Sequence, residues 1–412
     1  MELIAGVIKS YDWGSRTTLA ELTGRTAPSS TTEAEMWFGA HESAPSPLPE
    51  SSGPATLVER IGTDPLASLG SQCRDAFGGR LPFLLKVLAV QRSLSLQAHP
   101  TEVQARAGYA GENRGGIPLD AAHRNYRDDR HKPELVVALE QFEALAGFRD
   151  VPATVDLLTA IDVPELAEDV ALLAASPTPG KLKCVATRWL GLSSEYHTQV
   201  DDTVLKRTTA LLASGGSVVD RFRAELSTAS ELARDYRGDR GVLMSLLLNR
   251  VTLAPGEGLY LPAGNLHAYL SGTAVEIMAN SDNVLRGGLT TKHIDVAELS
   301  AILDFDPISV EVLRPHSSGV EYRYSTPARE FMLTRWELDH STAYVVDNSG
   351  PSIVLCMSGD ATIRHAGTTR SLHTGEALWV PAGETDLSFE ADGPRAQLFV
   401  ASVGKVSSEL AA

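Results

Sequence analysis

Apolar positions in this 412-residue chain follow two periods, and the places where one gives way to the other divide it into parts. In the first part LPFLLKVLAVQRSLSLQAHP ends in Ser95-Leu96-Gln97-Ala98-His99-Pro100, where polar and apolar residues alternate. A strand turns successive side chains to opposite faces, so Ser95, Gln97 and His99 share one side of a mostly apolar strand. His131-Lys132-Pro133-Glu134 opens a second apolar run, LVVAL, and the same period sets Lys132 and Glu134 together. In a third piece, Leu259 to Tyr269, His267 lies just beyond a strand and a Gly-containing turn. Residues 1 to 50 read as short strands and loops, with aromatics beside glycine in YDWGS and EMWFGAH, and His41 reads as a loop or surface histidine.

After Gly147 the period becomes helical. Leu166, Val170 and Leu173 recur at helical spacing behind a cap at Asp162 with Pro164 in the first turn, and Val218, Phe222 and Leu226 do so behind Ser217. Residues 151 to 238 are therefore predicted to be a helical insertion. The polar, glycine-rich segment from Thr101 to Arg130 reads as a long excursion near a functional site. Strands are expected to resume at Val242, and an internal echo follows: Pro255 to His267 aligns without gaps on Thr374 to Asp386. Both copies read as turn, short strand, Pro-Ala-Gly turn and next strand. The predicted fold is mostly β with an α insertion, two cupin-type jelly-roll barrels formed by residues 1–150 with 239–315 and by residues 316–412. In the second copy Asp386 replaces the histidine, so one metal per chain is expected.

Composition narrows the classes. Hydrophobic content of 43 % with 21 % charged residues is that of a globular protein, and no apolar run approaches the ~20 residues of a membrane span. A net charge of -16 with no basic block excludes nucleic acid as a partner. Cys73, Cys184 and Cys356 are far apart, which suits reduced thiols and neither a disulfide framework nor a cysteine zinc site. The start, MELIAGVIKSYDW, has no basic region followed by a long apolar core, so a cytoplasmic location is expected.

Gln97, His99, Glu134 and His267 offer imidazole nitrogen and carboxylate or amide oxygen from three strands, a set that suits Zn2+. Each alone is weak, because a lone histidine on an apolar strand is more often a hydrogen-bonded core residue. Glutamine is an uncommon zinc ligand, and Gln97 could instead hydrogen-bond to one. In a chain this acidic, Lys132, Arg286 and Lys292 near one metal would make a positive spot for an anion such as phosphate. The plainer alternative pairs Arg286 with Asp282 at i,i+4 and leaves Lys292 solvated.

Three long segments, LPFLLKVLAVQRSLSLQAHP, RNYRDDRHKPELVVALEQFEALAGFR and LPAGNLHAYLSGTAVEIMANSDNVLRGGLTTKHIDVAEL, resemble the type I phosphomannose isomerases, and YDWGS and EMWFGAH match that family's early segments. The resemblance covers nearly the whole chain. It implies exchange of mannose 6-phosphate with fructose 6-phosphate, and one Zn2+ held by Gln97, His99, Glu134 and His267. It also implies Arg286 in catalysis, with Lys132, Ser95, Glu276, Tyr269 and Lys292 around a sugar phosphate. A monomer is expected. Proton transfer between C1 and C2 through an enediol needs a base, and Lys132, His131, Glu276, Lys86 and Asp282 are the candidates. Two departures, Thr101-Glu102 where the family has Asp-Lys and Glu42 where it has proline, bear on affinity and sugar selectivity. Two other classes fit part of the pattern: an Fe(II) cupin dioxygenase, which also uses two histidines and a carboxylate, and a non-catalytic sugar-phosphate-binding cupin.

Overall fold

The computed structural model describes residues 1–340, 342–346, 348 and 350–404. Its first strands are β1 (Glu2–Ile4), β2 (Val7–Lys9), β3 (Glu35–Gly39), β4 (Phe83–Val90), β5 (Leu96–Ala98), β6 (Glu134–Ala138) and β7 (Phe142–Phe148). After a helical stretch come β8 (Leu248–Leu253), β9 (Gly258–Leu261), β10 (His267–Ala279) and β11 (Leu285–Gly288). The last part holds β12 (His316–Ser318), β13 (Glu321–Tyr324), β14 (Met332–Asp339), β15 (Tyr344–Val346), β16 (Ser352–Ser358), β17 (Ala361–His365), β18 (Thr368–Leu372), β19 (Ala377–Val380), β20 (Leu387–Ala391) and β21 (Arg395–Ser402).

β10 organises the first barrel because it belongs to both of its sheets. Its start, His267 to Ser271, pairs with β5 and β7, and its end pairs with β4 and β6. The strand slips register between Tyr269 and Ser271 and turns at Gly272, whose φ is 112°. A Cβ at Gly272 would lie 2.6 Å from the Gln141 carbonyl, so only glycine lets the strand cross from one sheet to the other. One sheet therefore runs β2-β3-β4-β10-β6-β9, and the other β11-β5-β10-β7-β8.

The second barrel faces a seven-stranded sheet, β1-β19-β16-β21-β14-β13-β12, with a four-stranded one, β15-β20-β17-β18. Leu85, Val87, Leu135, Val137, Val275 and Ile277 of the first barrel share one apolar core with Ile353, Leu355, Trp379 and Phe399 of the second. β4 is buried along its whole length for that reason: Leu85 and Val87 face the neighbouring barrel, while Leu88 faces its own interior. The alternation then dictates that Lys86 on β4, Glu134 on β6, Glu276 on β10 and both Glu35 and Trp37 on β3 point inward. β1 pairs with β19 and so joins the second barrel, although sequence alone grouped it with the first.

Five α-helices, Val151–Ile161, Ala167–Ala175, Pro179–Gly191, Ser194–Ser214 and Ser217–Asp235, form the insertion. Their core, with Trp189 and Leu226 fully buried, is continuous with Leu96, Leu145, Leu266 and Leu285 on the outer side of the β11-β5-β10-β7-β8 sheet.

Four expectations change. Asp162 ends the helix Val151–Ile161 in a left-handed conformation, φ 56°, and does not start the next one; Asp150 caps that helix through Ala153 N–H at 3.1 Å. Val219, not Val218, is buried with Phe222 and Leu226, since i, i+3 and i+7 share one helix face, and Val218 is exposed. Thr101 and Gln104 form a capping box that starts a helix, Glu102–Arg114, where a loop was expected. The run from Val242 begins as a helix, Arg240–Ser245, capped by Asp239, since a short fully apolar run reads equally as buried helix or strand. Among the described residues no helix is long and apolar enough to cross a membrane, and Cys73, Cys184 and Cys356 are free.

Candidate active site and metal centre

β5, β6 and β10 bring His99, Glu134 and His267 together at the end of the first barrel, with their donor atoms within 4.8 Å of one another. All three side chains are buried. His99 Nε2 lies 3.3 Å from Glu134 Oε1, and His267 Nε2 lies 3.2 Å from Glu134 Oε2. Each ring donates its other N–H to a backbone carbonyl, His99 Nδ1 to Asn283 at 2.7 Å and His267 Nδ1 to Asn265 at 3.0 Å. A carbonyl can only accept, so each Nδ1 carries the proton and each Nε2 presents a lone pair to the centre. Burial pushes the His99 pKa down to about 4, helped by Lys132 and opposed by Glu134, which keeps the ring neutral. His99 Nε2, His267 Nε2 and Glu134 Oε2 are all buried without a hydrogen-bond partner. Three such atoms facing one another fit a cation, and two imidazoles with a carboxylate fit zinc. Gln97 is the ladder partner of His267 on one side and of Arg286 on the other, and it lines the cavity beside the centre.

That cavity has a volume of about 1010 Å3. Its floor follows from register: Trp37 pairs with Lys86, and Lys86 with Glu276, across β3, β4 and β10. Lys86 Nζ lies 2.9 Å from Glu276 and 3.6 Å from Glu35, over the Trp37 ring. Burial opposes its charge, yet Glu276, Glu35 and Glu134 hold its pKa above the usual lysine range. Glu276 also accepts from the Tyr269 hydroxyl at 2.9 Å, and burial with nearby carboxylates pushes both of these groups' pKa values up. Lys132 Nζ is 2.9 Å from Glu134. Burial raises the Glu134 pKa, but Lys132 and His99 outweigh it and leave the carboxylate well below its usual range.

Ser95, Asp282, Arg286 and Lys292 line the same cavity. Arg286 does not pair with Asp282, which instead meets His41 at 3.3 Å. His41, expected at the surface, is buried against Trp37. Burial and then Arg127 lower the Arg286 pKa, and burial, Arg286 and Arg127 lower that of Lys292. The three cations thus crowd one another, and among the described residues none forms an ion pair with a carboxylate. His131 is outside: its Nε2 meets Glu330 at 2.9 Å, because it precedes Lys132 in an extended segment and points the other way.

The description "Phosphomannose isomerase type I, catalytic domain" matches residues 1–151. Mannose-6-phosphate isomerase of Escherichia coli (strain K12) is 36 % identical over 403 residues, 97 % of this chain and 99 % of that protein. The chain belongs to the type I phosphomannose isomerases. Mannose-6-phosphate isomerase 1 of Arabidopsis thaliana is 32 % identical over 91 % of this chain and 88 % of its own. A solved phosphomannose isomerase from Salmonella typhimurium, an alanine variant, has a TM-score of 0.88 at 34 % identity and covers 98 % of this chain and 100 % of its own. A zinc-bound mannose 6-phosphate isomerase has a TM-score of 0.87 at 33 % identity, covering 98 % and 99 %.

Against this family, the departures at Thr101 and Glu102 lie off the cavity: Thr101 caps a helix and Glu102 pairs with Arg106 and, at 3.5 Å, Arg329. Glu42 is exposed. Three residues that the sequence reading missed are Glu35, Trp37 and Arg127, all in the cavity wall of this type I phosphomannose isomerase. Glu35 and Trp37 alternate with apolar neighbours in EMWFG, so the period that revealed Gln97 and His99 also marks them. Arg127 sits in an irregular segment held by Asn283, whose side chain accepts from Arg127 N–H at 2.7 Å, and nothing local singles it out.

Proposed function

We infer that the chain interconverts mannose 6-phosphate and fructose 6-phosphate in a zinc-dependent aldose-ketose isomerisation through an enediol of the sugar. One observation carries this reading: three buried donor atoms without hydrogen-bond partners converge beside three cations, Arg127, Arg286 and Lys292, that among the described residues form no ion pair, in a chain of net charge -16. The proposed ligands are His99, Glu134, His267 and Gln97. Bound zinc supplies Lewis-acid polarisation of the sugar's oxygens.

The chain's own residues divide the remaining work. Arg127 and Lys292 take the phosphate, and Arg286, one strand beyond Gln97, faces negative charge as it grows on the sugar oxygens. Asp282 accepts the carbon-bound proton: its side chain is 47 % exposed toward the cavity. Burial raises its pKa, but His41 and Lys132 outweigh that and keep it ionised. Lys132 moves the proton between the sugar oxygens. Lys86, held protonated by Glu276 and Glu35, shapes the floor and does not act as a base. Tyr269 and Ser95 present hydroxyl groups from the same wall.

The proposed division of the chain supports this reading: residues 1–150 with 239–315 hold the site, 151–238 buttress it, and 316–412 form the second barrel with β1 lent to it. Every group named comes from one chain, consistent with a monomer, and the free thiols suit the cytoplasm. Isomerisation of mannose 6-phosphate is to be measured before chelation, after it, and with zinc restored. Loss and recovery are expected; full turnover by metal-free protein, or oxygen uptake in place of isomerisation, would sink the reading.

A further inference from the structure

Asp239, at the exit of the helical insertion, uses its carboxylate on two separate segments. Oδ1 accepts from the Gly241 N–H at 2.6 Å, in the first turn of the helix Arg240–Ser245, and from the Leu289 N–H at 2.6 Å. Oδ2 accepts from the Thr290 N–H at 3.2 Å. Leu289 and Thr290 follow directly on β11, the strand that carries Arg286. Leu289 is left-handed, φ 55°, a conformation that a residue with a branched side chain keeps only where its surroundings enforce it. The two segments also touch backbone to backbone: a Cβ on Gly288 would lie 2.3 Å from Gly241 Cα. One further bond continues the chain, from Lys292 N–H to Thr290 Oγ1 at 3.1 Å.

We propose that Asp239 is a positioning residue for substrate phosphate, a clamp that fixes the turn Leu289–Thr290 and through it sets Lys292 in the cavity. The proposal rests on the reading of Lys292 as a phosphate ligand. It gives the junction between the insertion and the first barrel a task at the site: Asp239, which caps the helix just past the insertion, holds the segment that the substrate must find in place, so the free protein bears the ordering cost in advance of binding. Arg286 is held independently, by its ladder with Gln97, and zinc is held elsewhere, so the clamp acts on substrate binding and not on turnover or metal.

The test compares Asp239→Ala, Asp239→Asn, Lys292→Ala and Asp239→Ala/Lys292→Ala in the full zinc-loaded chain. Three bonds to a charged acceptor are lost in Asp239→Ala, and KM for mannose 6-phosphate is expected to rise about 10- to 100-fold. kcat should stay within about threefold and zinc content unchanged. Asp239→Asn keeps an oxygen for Gly241 and Leu289 and turns an amide toward Thr290, so its KM should fall between wild type and Asp239→Ala. The double variant should resemble Lys292→Ala, because both changes remove one interaction. If Asp239→Ala does not fold, Asp239→Asn and Lys292→Ala still decide. A raised KM in Lys292→Ala with wild-type KM in Asp239→Asn overturns the clamp alone. Unchanged KM in Lys292→Ala overturns the phosphate reading and the clamp together. Additive losses in the double variant, or a fall in kcat at constant KM, also overturn the clamp.

Discussion

The two barrels repeat one another at atomic detail up to the point where the chemistry begins. β9 and β19 start and stop at equivalent places, Gly258–Leu261 and Ala377–Val380. The turns around them close with the same bonds: Glu257 N–H to Ala254 and Glu376 N–H to His373 at 2.9 Å, then Asn265 N–H to Pro262 at 3.4 Å and Glu384 N–H to Pro381 at 3.0 Å. Beyond that they part. In the first barrel Gly264 N–H reaches the His99 carbonyl at 2.8 Å, and His267 opens β10 fully buried. In the second Asp386 is exposed at φ 56°, and β20 starts one residue later. The interiors differ accordingly: Lys86, Lys132, Glu134 and Glu276 in one, Trp336, Val354, Ile363, Phe389 and Leu398 in the other. An apolar interior closes on itself, whereas charged groups must be paired, coordinated or wetted, and so keep a cavity open. The backbone allows a site, and the inward-facing residues decide whether there is one.

The sharpest way to break this comparison is to exchange the fates of its paired positions. His267→Ala should lose zinc by elemental analysis and cut isomerisation by at least about 100-fold, since even partners of metal ligands cost 10- to 100-fold, while Asp386→Ala keeps both. Two tightly bound metals per chain would mean that the second barrel has a site after all. Next, Phe389→Ala should destabilise the protein by about 3–5 kcal/mol in denaturant unfolding, with kcat and KM of the folded fraction unchanged. A changed KM would show that the second interior reaches the substrate. Arg286→Ala is expected to keep zinc and lose about 10²- to 10³-fold in kcat, and near-normal kcat with a raised KM would make it a phosphate ligand instead.

The smallest effect concerns the seam, where Glu330 of the second barrel pairs with His131 of the first. Burial raises the Glu330 pKa, but His131 and Arg329 outweigh it and leave it below its usual 4.5. A depressed carboxylate stabilises the fold above its ordinary range and loses that contribution as pH falls through its folded value. Glu330→Gln should therefore cost about 1–2 kcal/mol at pH 7, with the difference from wild type closing as pH falls below about 4.5. A gap that persists at low pH would mean that packing, not charge, ties the barrels at this point.

The sequence was most legible where a period of two runs through an apolar strand. That rule put Gln97 with His99 and Lys132 with Glu134, and it applies equally to Glu35 and Trp37, which it was not used to find. It failed where local pattern carries no information on partners. The same period sets His131 on the face opposite Lys132, but that this face meets Glu330 of the second barrel is not written in the local pattern. Asp162 looked like a helix start because aspartate serves at both ends, and Asp150 with Pro152 had already begun the helix upstream. His41 became a buried partner of Asp282 through a contact spanning more than two hundred residues.

β1 adds a consequence for how the protein is made. Ile4 pairs with Ala377, so the edge of the second barrel is completed by residues synthesised more than three hundred positions ahead of it. At ~5–20 residues per second, a ribosome needs on the order of 20 to 70 s to deliver the partner strand. Through that interval Ile4, 2 % exposed in the finished fold, has early core neighbours such as Met36, Phe38 and Leu48 but no strand to pair with. Until β19 is made, β1 carries an unmatched strand edge, a template on which another chain could dock.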